Sequence, residues 1–369
     1  MKRGVILFIL VILFTTRVVQ AENDVSYDDI EREAKQQLDM DLSVEDIVDA
    51  FVHGNIVDTI KDSIYQKMRQ ALADEMELKE LFVQMLMIGF LMAIFHNFSE
   101  AFVEQYVGST GFFIAYMILA GIMIRQFLLI YEFTKTALDQ IVTFMKVLVP
   151  TYSMILLTVT GITTSLASYE IFLTLITGVQ WGILTIILPC IKFGFILKLL
   201  NFLSNEDLFS GIIELLESLI KLSLKGAIMV VLLFNIFQSM LLPAIDSVKS
   251  NLLQKGINAL PGVGQVLGMV ANTAIGSSII LKNAIGVFGM LVICLIAFLP
   301  VLKIFLYTGS FQLAGAILQP VTDKKIYQVL HDVAGSGKLL LQSILTAVVL
   351  FLLTIAIISL TTNMNYYVG

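Results

Sequence analysis

The chain has 369 residues, of which 57% are hydrophobic and only 14% are charged. A soluble globular protein has about 45–50% apolar and about 25% charged residues, so this composition excludes an ordinary soluble domain. The formal net charge is −6, and no nucleic-acid partner is expected. Runs of about 20 apolar residues recur. The sequence therefore predicts an all-α, polytopic integral membrane helical bundle.

Residues 1–21 have the features of a secretory signal peptide. Lys2 and Arg3 precede an apolar run over 5–14, and the segment ends in the small residue Ala21. This run is too short to span about 30 Å of hydrocarbon. An uncleaved anchor is the alternative interpretation. In either case the chain from residue 22 onward is exported.

Residues 22–80 are predicted to form a small, acidic, extracytoplasmic helical region. They contain 17 acidic and 6 basic residues, and segments poor in Lys and Arg favour the outside of the membrane. Ser43 and Asp46 resemble a capping box that opens a helix. This region is either a helical cap packed on the membrane domain or a docking surface for another exported protein.

The remainder, 81–369, is the predicted multi-spanning membrane domain. Its seven candidate spans are 81–98, 111–131, 141–161, 171–191, 224–242, 283–302 and 339–360. Residues 263–281 are an eighth candidate, so seven to eight spans are expected. Eight spans place the C-terminus outside, whereas seven export the loop 303–338. Two amphipathic segments, 205–221 and 323–335, are predicted to be helices lying in the membrane interface.

Prolines, a glycine and a lysine that recur at a constant sequence offset indicate an internal repeat. Pro150 and Pro189 are 39 residues apart, as are Pro261 and Pro300, and the pairs are offset by 111. Gly178 matches Gly289 and Lys192 matches Lys303 at this offset, which grows to 118 further on. The predicted copies are 141–242 and 252–360. With three apolar segments in each copy, the second copy would be inverted, as in many transporters.

Two glycine-rich stretches resemble nucleotide-binding loops without matching them. GVGQVLG (262–268) lacks the strand before it and the acidic residue after it that a dinucleotide site requires. GSGK (335–338) lacks the first glycine and the final Ser or Thr of a P-loop. Gly264 and Gly268 instead have the small-xxx-small spacing of closely packed membrane helices. The alternative is a broken or re-entrant segment near Pro261 that borders a translocation path.

Charged residues inside spans are candidates for function because they are expensive in lipid. Arg125 and Lys146 lie inside predicted spans, whereas Lys146, Lys192 and Lys303 could also reach the headgroups from a span end. No catalytic constellation, cofactor site or metal site is expected, and Cys190 and Cys294 lie in separate apolar runs. The candidate translocation or packing residues are Arg125, Lys146, Pro150, Pro189, Lys192, Pro261, Gly264, Gly268, Pro300 and Lys303.

The chain resembles the stage III sporulation protein AE family. The resemblance is carried by LPGVG (260–264), by LKNAIGVFGMLVICLIAFLP (281–300) followed by Lys303, and by AILQP (316–320). It also includes the order of signal peptide, acidic helical stretch and apolar remainder. Ile280 stands where the family pattern has a leucine, and the likeness is loose before residue 250.

The resemblance implies a membrane component of the channel or secretion-like complex between mother cell and forespore. The expected location is the mother-cell membrane around the forespore, with the N-terminal region facing outward. The expected partners are other membrane proteins of that complex, further copies of this chain and the lipid bilayer. A secondary transporter with inverted repeats and a structural anchor for other subunits are the alternative functions.

Overall fold

The computed structural model describes residues 28–38, 43–53, 105–160, 162–203, 208–258, 264–320 and 324–368, together with single positions between 61 and 94. These residues are helical and include no strand. Five helices in this part are long and apolar enough to cross a membrane. The structure thus confirms the predicted class, an all-helical multi-pass membrane protein.

The helices are numbered here in chain order. They are α1 Asp28–Leu38, α2 Val44–His53, α3 Gln105–Val159, α4 Ile162–Thr177, a π-helical segment Gly178–Ile187, α5 Leu188–Leu203, α6 Ser210–Asn258, α7 Gly264–Leu318 and α8 Lys324–Val368. The five candidate spans lie in α3, in the continuous run from α4 to α5, in α6, in α7 and in α8.

The short helix α1 packs against α3 and α7, and the short helix α2 packs against α7. Ser43 caps α2, because its hydroxyl oxygen accepts the backbone N–H of Glu45 at 3.1 Å. The carboxylate of Glu31 on α1 accepts the backbone N–H of Val44 at 2.6 Å and the Ser43 hydroxyl at 3.1 Å. The predicted cap at Ser43 is therefore present, with a carboxylate from the preceding helix as a further acceptor.

The segments 111–131 and 141–161 were predicted as two spans, but α3 is one helix of 55 residues. The stretch between them, 132–140, contains no glycine or proline that would end a helix. Ala137 and Leu138 are fully buried, while Lys135 and Asp139 are exposed. An amphipathic stretch of helix thus joins the two apolar stretches. The polar residues in it do not indicate that the chain reverses its direction.

The segments 263–281 and 283–302 are joined in the same way. Both belong to α7, which also has 55 residues. Lys282 lies at the junction, fully buried, and its ammonium donates to the backbone oxygen of Ser359 at 3.1 Å. Because α8 supplies a hydrogen-bond acceptor for its ammonium, Lys282 can lie inside the bundle, and the helix does not have to end there. The predicted span 81–98 lies largely outside the described residues. The prediction of seven to eight separate spans is therefore not confirmed, since the described chain has five.

The two predicted interfacial helices are not separate elements. The described residues of 205–221 lead into and form the first turns of α6, and those of 323–335 form the first turns of α8. Each polar, amphipathic stretch continues without a break into an apolar one. Both helices therefore extend along the bundle and do not turn into a membrane plane.

Pro189 is preceded by the π-helical segment. Proline has no N–H and its ring clashes with the carbonyl four residues earlier, so a regular α-helix is disturbed before it. The backbone N–H of Leu188 donates to the oxygen of Ile183, five residues back. The Thr185 hydroxyl likewise donates to the Gln180 oxygen at 3.1 Å. The widened turn keeps the helix continuous through the proline.

Contacts along the helices fix their directions. Tyr116 near the start of α3 donates to the Leu199 oxygen in α5 at 3.0 Å, and Lys146 near its end donates to Gln180 at 3.2 Å. The α3 helix is therefore antiparallel to the run from α4 to α5. It is antiparallel to α7 as well, because Leu148 faces Gly289 and Phe133 faces Lys303. Helices α5 and α7 consequently run in the same direction.

Helices α6 and α8 are also parallel to each other. Glu217 lies against Gly335, and the Asn235 amide donates to the Thr354 hydroxyl at 3.2 Å. These pairs are separated by 118 and 119 residues, close to the second repeat offset. The second and third segments of the two predicted copies thus run the same way, whereas the first segments lie in the antiparallel helices α3 and α7. The predicted inversion is not confirmed, because the first two segments of the second copy are fused in α7, which removes one reversal of the chain.

The helix directions predict which loops share a membrane side. In a chain carrying Cys190→Ala and Cys294→Ala, we expect Phe209→Cys and Pro320→Cys to be labelled by impermeant maleimide from one side only. Asn258→Cys and Tyr367→Cys should be labelled only from the other side. Lys324 and Lys325 favour the cytoplasm for the first pair. Labelling of Phe209→Cys and Pro320→Cys from opposite sides would refute these directions.

Close packing of α3 and α7 predicts a stability loss at Gly289. A Cβ atom there would lie 2.5 Å from Leu148 Cδ2, so Gly289→Val should destabilise the bundle by about 1–3 kcal/mol through overpacking. Gly276→Val on the same helix is the matched control, since nothing lies within 4 Å of its Cβ position. Thermal unfolding in detergent measures both. Equal melting temperatures for the two variants would contradict the tight contact.

Candidate functional site

Two of the sequence-predicted residues, Lys192 and Lys303, lie against the same part of α3. The Lys192 ammonium is 5.3 Å from the ring centre of Tyr131, and the Lys303 ammonium is 4.8 Å from that of Phe133. Both distances permit cation–π attraction. The matched lysines of the predicted repeat are therefore also matched in position, on α5 and α7, around one stretch of α3.

The remaining predicted residues do not join them. Arg125 is exposed on α3, and Lys146 is exposed and bonded to Gln180. Lys146 follows Phe133 by 13 residues, which is about 20 Å along the helix. The prolines Pro150, Pro189 and Pro300 lie within continuous helices, and Gly264 and Gly268 lie in the first turns of α7. Pro261 lies outside the described residues.

A deeply buried charged group that the sequence analysis does not single out is Lys198. Its side chain is 5% exposed, and its ammonium is 2.6 Å from Glu217 Oε1. It also donates to the Asp332 backbone oxygen at 2.8 Å and to Ser336 Oγ at 3.0 Å. Glu217 binds a second cation through its other oxygen, Lys221 at 2.8 Å. We call these five residues the Lys198 cluster.

The cluster joins three helices, with Lys198 on α5, Glu217 and Lys221 on α6, and Asp332 and Ser336 on α8. Two glycines allow α8 to come close. A Cβ on Gly335 would be 3.4 Å from the Lys198 ammonium, and one on Gly337 would collide with Thr308 of α7. The GSGK stretch is thus part of a helix surface packed on lysine and threonine. This placement agrees with the exclusion of a P-loop.

A second group of polar residues lies towards the other end of α8. Lys282 donates to the Ser359 backbone oxygen at 3.1 Å, and the Ser359 hydroxyl donates to Asn283 at 2.9 Å. Ser359 follows Ser336 by 23 residues, a distance of about 35 Å along a helix. The hydrocarbon core of a bilayer is about 30 Å thick. The two lysine groups are therefore spaced as residues near opposite faces of the membrane would be.

Between these levels, aromatic side chains of the described residues pack against one another. Phe127 and Phe195 stack with ring centres 3.8 Å apart, and Tyr152 meets Phe172 edge to face at 5.9 Å. A cavity beside Lys198 and Glu217 has a volume of about 10 Å³, enough for about one water molecule. The Lys198 cluster can therefore hold three helices in register, but it has no room for a solute.

The sequence does carry a signal for this site. Glu217 and Lys221 are four residues apart on one helix and so form an intrahelical pair. Lys198 lies near the end of α5 and Glu217 near the start of the next helix, α6, so the two residues lie where consecutive helices meet. Comparing the charged residues at the end of one apolar run with those at the start of the next would identify the pair of Lys198 and Glu217. Considering each apolar run alone does not.

Comparisons with known proteins point to a single family. The family model described as Stage III sporulation protein AE matches residues 42–362. A curated relative, stage III sporulation protein AE of Bacillus subtilis (strain 168), is 21% identical over 286 residues. That alignment covers 76% of this chain and 71% of the relative. No solved structure matches the chain.

The Lys198 cluster predicts a specific order of stabilities. Glu217→Leu leaves a buried ammonium without its carboxylate and should destabilise the bundle by about 3–5 kcal/mol. Lys198→Met should cost less, because Glu217 keeps Lys221 and is 26% exposed. The double variant should recover stability relative to Glu217→Leu, since no buried charge remains.

Thermal unfolding of the four forms in detergent completes the double-mutant cycle. Glu214→Leu is the matched control, an exposed glutamate on the same helix, and should leave the melting temperature nearly unchanged. Purely additive effects of Glu217→Leu and Lys198→Met would show that the pair does not couple α5 to α6.

Proposed function

Because the chain belongs to the stage III sporulation protein AE family, we propose that it is a core membrane component of a sporulation-specific channel or secretion-like complex. The complex would connect mother cell and forespore and support development of the forespore. The observation that carries this proposal is the extent of the family match, which runs over residues 42–362 and so includes every described candidate span.

The packed interior favours a role within an assembly over a solute carrier. A secondary transporter needs a midplane site between its repeats that a solute can enter. Among the described residues, Phe127 stacks on Phe195 and Tyr152 packs against Phe172, and the cavity at Lys198 holds about one water. A conduit that includes this protein would run between its outer helix faces and neighbouring subunits, and not through its own bundle.

The location follows from the same premise. The protein would lie in the mother-cell membrane around the forespore, with the acidic N-terminal region on the side facing the forespore. Helices α1 and α2 pack on α3 and α7, so this region would be a fixed cap on the membrane bundle. No enzymatic activity and no cofactor are proposed.

This function predicts that the purified protein is silent alone. In proteoliposomes containing only this chain, we expect the flux of ions and small solutes to equal that of empty liposomes. In the sporulating host, deletion of the gene should reduce heat-resistant spores by orders of magnitude, with engulfed forespores that fail to develop. Re-expression of the chain is the control and should restore the spore count.

Two results would contradict the proposal in different ways. Saturable solute uptake by the chain alone would identify a secondary transporter. Normal numbers of heat-resistant spores after deletion would contradict the sporulation role.

The Lys198→Met and Glu217→Leu double variant should sustain spore formation, because the cluster is proposed to hold helices and not to conduct.

A further inference from the structure

One side of α3 carries a row of polar side chains in the middle of the helix. Its five members are spaced four and three residues apart, so they lie on one side of the helix. All five are exposed, whereas the intervening Ala137, Leu138 and Ile141 are buried. The members are Glu132, Thr136, Asp139, Thr143 and Lys146. We call this surface the α3 polar face.

The charge-free part of α7 defines the level of the membrane. Between Lys282 and Lys303, α7 has 20 residues without a charged side chain, which span about 30 Å, the thickness of the hydrocarbon core. Beyond Lys303, Thr308 of α7 meets Gly337 of α8, next to Ser336 of the Lys198 cluster. That level is polar, so the hydrocarbon core lies between Lys282 and Lys303.

The contacts of α3 with α7 place the α3 polar face at this level. Phe133 contacts Lys303 at one end of the core. Tyr152 lies against Gly286, about one helical turn inside the other end. The stretch of α3 from Phe133 to Tyr152 is therefore within the core, and it contains four of the five polar residues.

Lipid is an unfavourable neighbour for these side chains. Asp139 is about 9 Å and Thr143 about 15 Å inward from Phe133 along the helix, so Thr143 lies near the middle of the membrane. Both side chains are too short to reach the headgroups as a lysine can. Among the described residues, Asp139 forms no ion pair. A carboxylate inside a membrane faces protein or a water-filled cavity, and this one points away from its own bundle.

The order of residues along this side of α3 is the reverse of that on a lipid-facing helix. A helix in contact with lipid is apolar in the middle and has its polar residues at the ends. Here the polar row lies in the middle, and the exposed apolar residues Leu128 and Met154 lie beyond its two ends. This order indicates contact with water at the depth of the hydrocarbon core.

The π-helical segment extends the polar surface to a second helix. Lys146 donates to the Gln180 side chain at 3.2 Å, and the Thr185 hydroxyl donates to the Gln180 backbone oxygen at 3.1 Å. All three residues are exposed. Turns of π-helix occur frequently at functional sites. Helix α3 and the π-helical segment thus form one polar surface that is two helices wide.

We propose that the α3 polar face, together with Gln180 and Thr185, lines a water-filled conduit between this protein and neighbouring subunits. The proposal rests on the proposed function, because the other subunits of the complex would enclose the water on the remaining sides. The surface carries both signs of charge, on Asp139 and Lys146, beside uncharged hydroxyl and amide groups. It therefore suits hydrophilic solutes of either charge.

Thiol labelling in membranes from sporulating cells tests the proposal. Thr143→Cys, in a chain carrying Cys190→Ala and Cys294→Ala, should react within minutes with the membrane-impermeant reagent MTSET, because water reaches this side chain. Cys294, kept as the single cysteine in a Cys190→Ala chain, is the matched control. It is exposed at the same depth, since it follows Gly289 by five residues and Thr143 precedes Leu148, which faces Gly289, by five. Its apolar neighbours place it against lipid, so it should stay unmodified.

A second measurement connects this surface to function. The pair Asp139→Leu and Thr143→Leu makes the surface apolar and should reduce heat-resistant spores as far as deletion of the gene does. The pair Asp139→Asn and Thr143→Ser keeps the surface polar and should sustain spore formation. Both double variants should keep the wild-type melting temperature in detergent, because the two side chains are exposed.

The outcomes distinguish this inference from the proposed function. With spore formation abolished by deletion, three results would each overturn the conduit lining and leave the proposed function standing. They are an unmodified Thr143→Cys, equal modification of Thr143→Cys and Cys294, and normal spore counts with the leucine pair. Normal spore counts after deletion would instead contradict the proposed function and this inference with it.

Discussion

Burial of the Lys198 ammonium constrains how α5, α6 and α8 can pack. A charged group withdrawn from water is strongly unfavourable unless oxygen atoms surround it. Here the oxygens come from Glu217 on α6 and from Asp332 and Ser336 on α8. No single helix supplies them, so they surround the lysine only when the three helices adopt one register. That register also places Asn235 beside Thr354 and, through α8, Ser359 beside Lys282.

The sequence predicts the class of the molecule well because class depends on composition. The apolar runs, the capping residue Ser43 and the absence of a nucleotide loop at 335–338 follow from local chemistry. The number of spans does not, because a hydropathy pattern is interrupted wherever charges occur, whether or not the helix ends there. At 132–140 and at Lys282 the helix continues, since neighbouring helices cover one side of the polar stretch or bind the charge.

The candidate site was predicted only in part, for a related reason. Matching the two copies identified Lys192 and Lys303, and both lie against α3 at Tyr131 and Phe133. The same comparison assigned opposite orientations to the copies, because it counted apolar runs and not helices. Lys198 has no charged counterpart at the repeat offset, where Gly309 stands. Its role depends on a carboxylate in the next helix, which a scan for repeated residues does not detect.

The orientation of α6 links the buried charges to the outer surface. Glu217 must face Lys198, and Ile220 and Leu224 lie on the same side of the helix. At about 100° per residue, this places Leu215, Leu219 and Leu222 on the far side. Rotating α6 to bury those leucines would withdraw the carboxylate from Lys198, and a buried unpaired charge costs about 3–5 kcal/mol. The ion pair inside the bundle therefore keeps Leu215, Leu219 and Leu222 turned outward, where only another molecule or lipid can cover them.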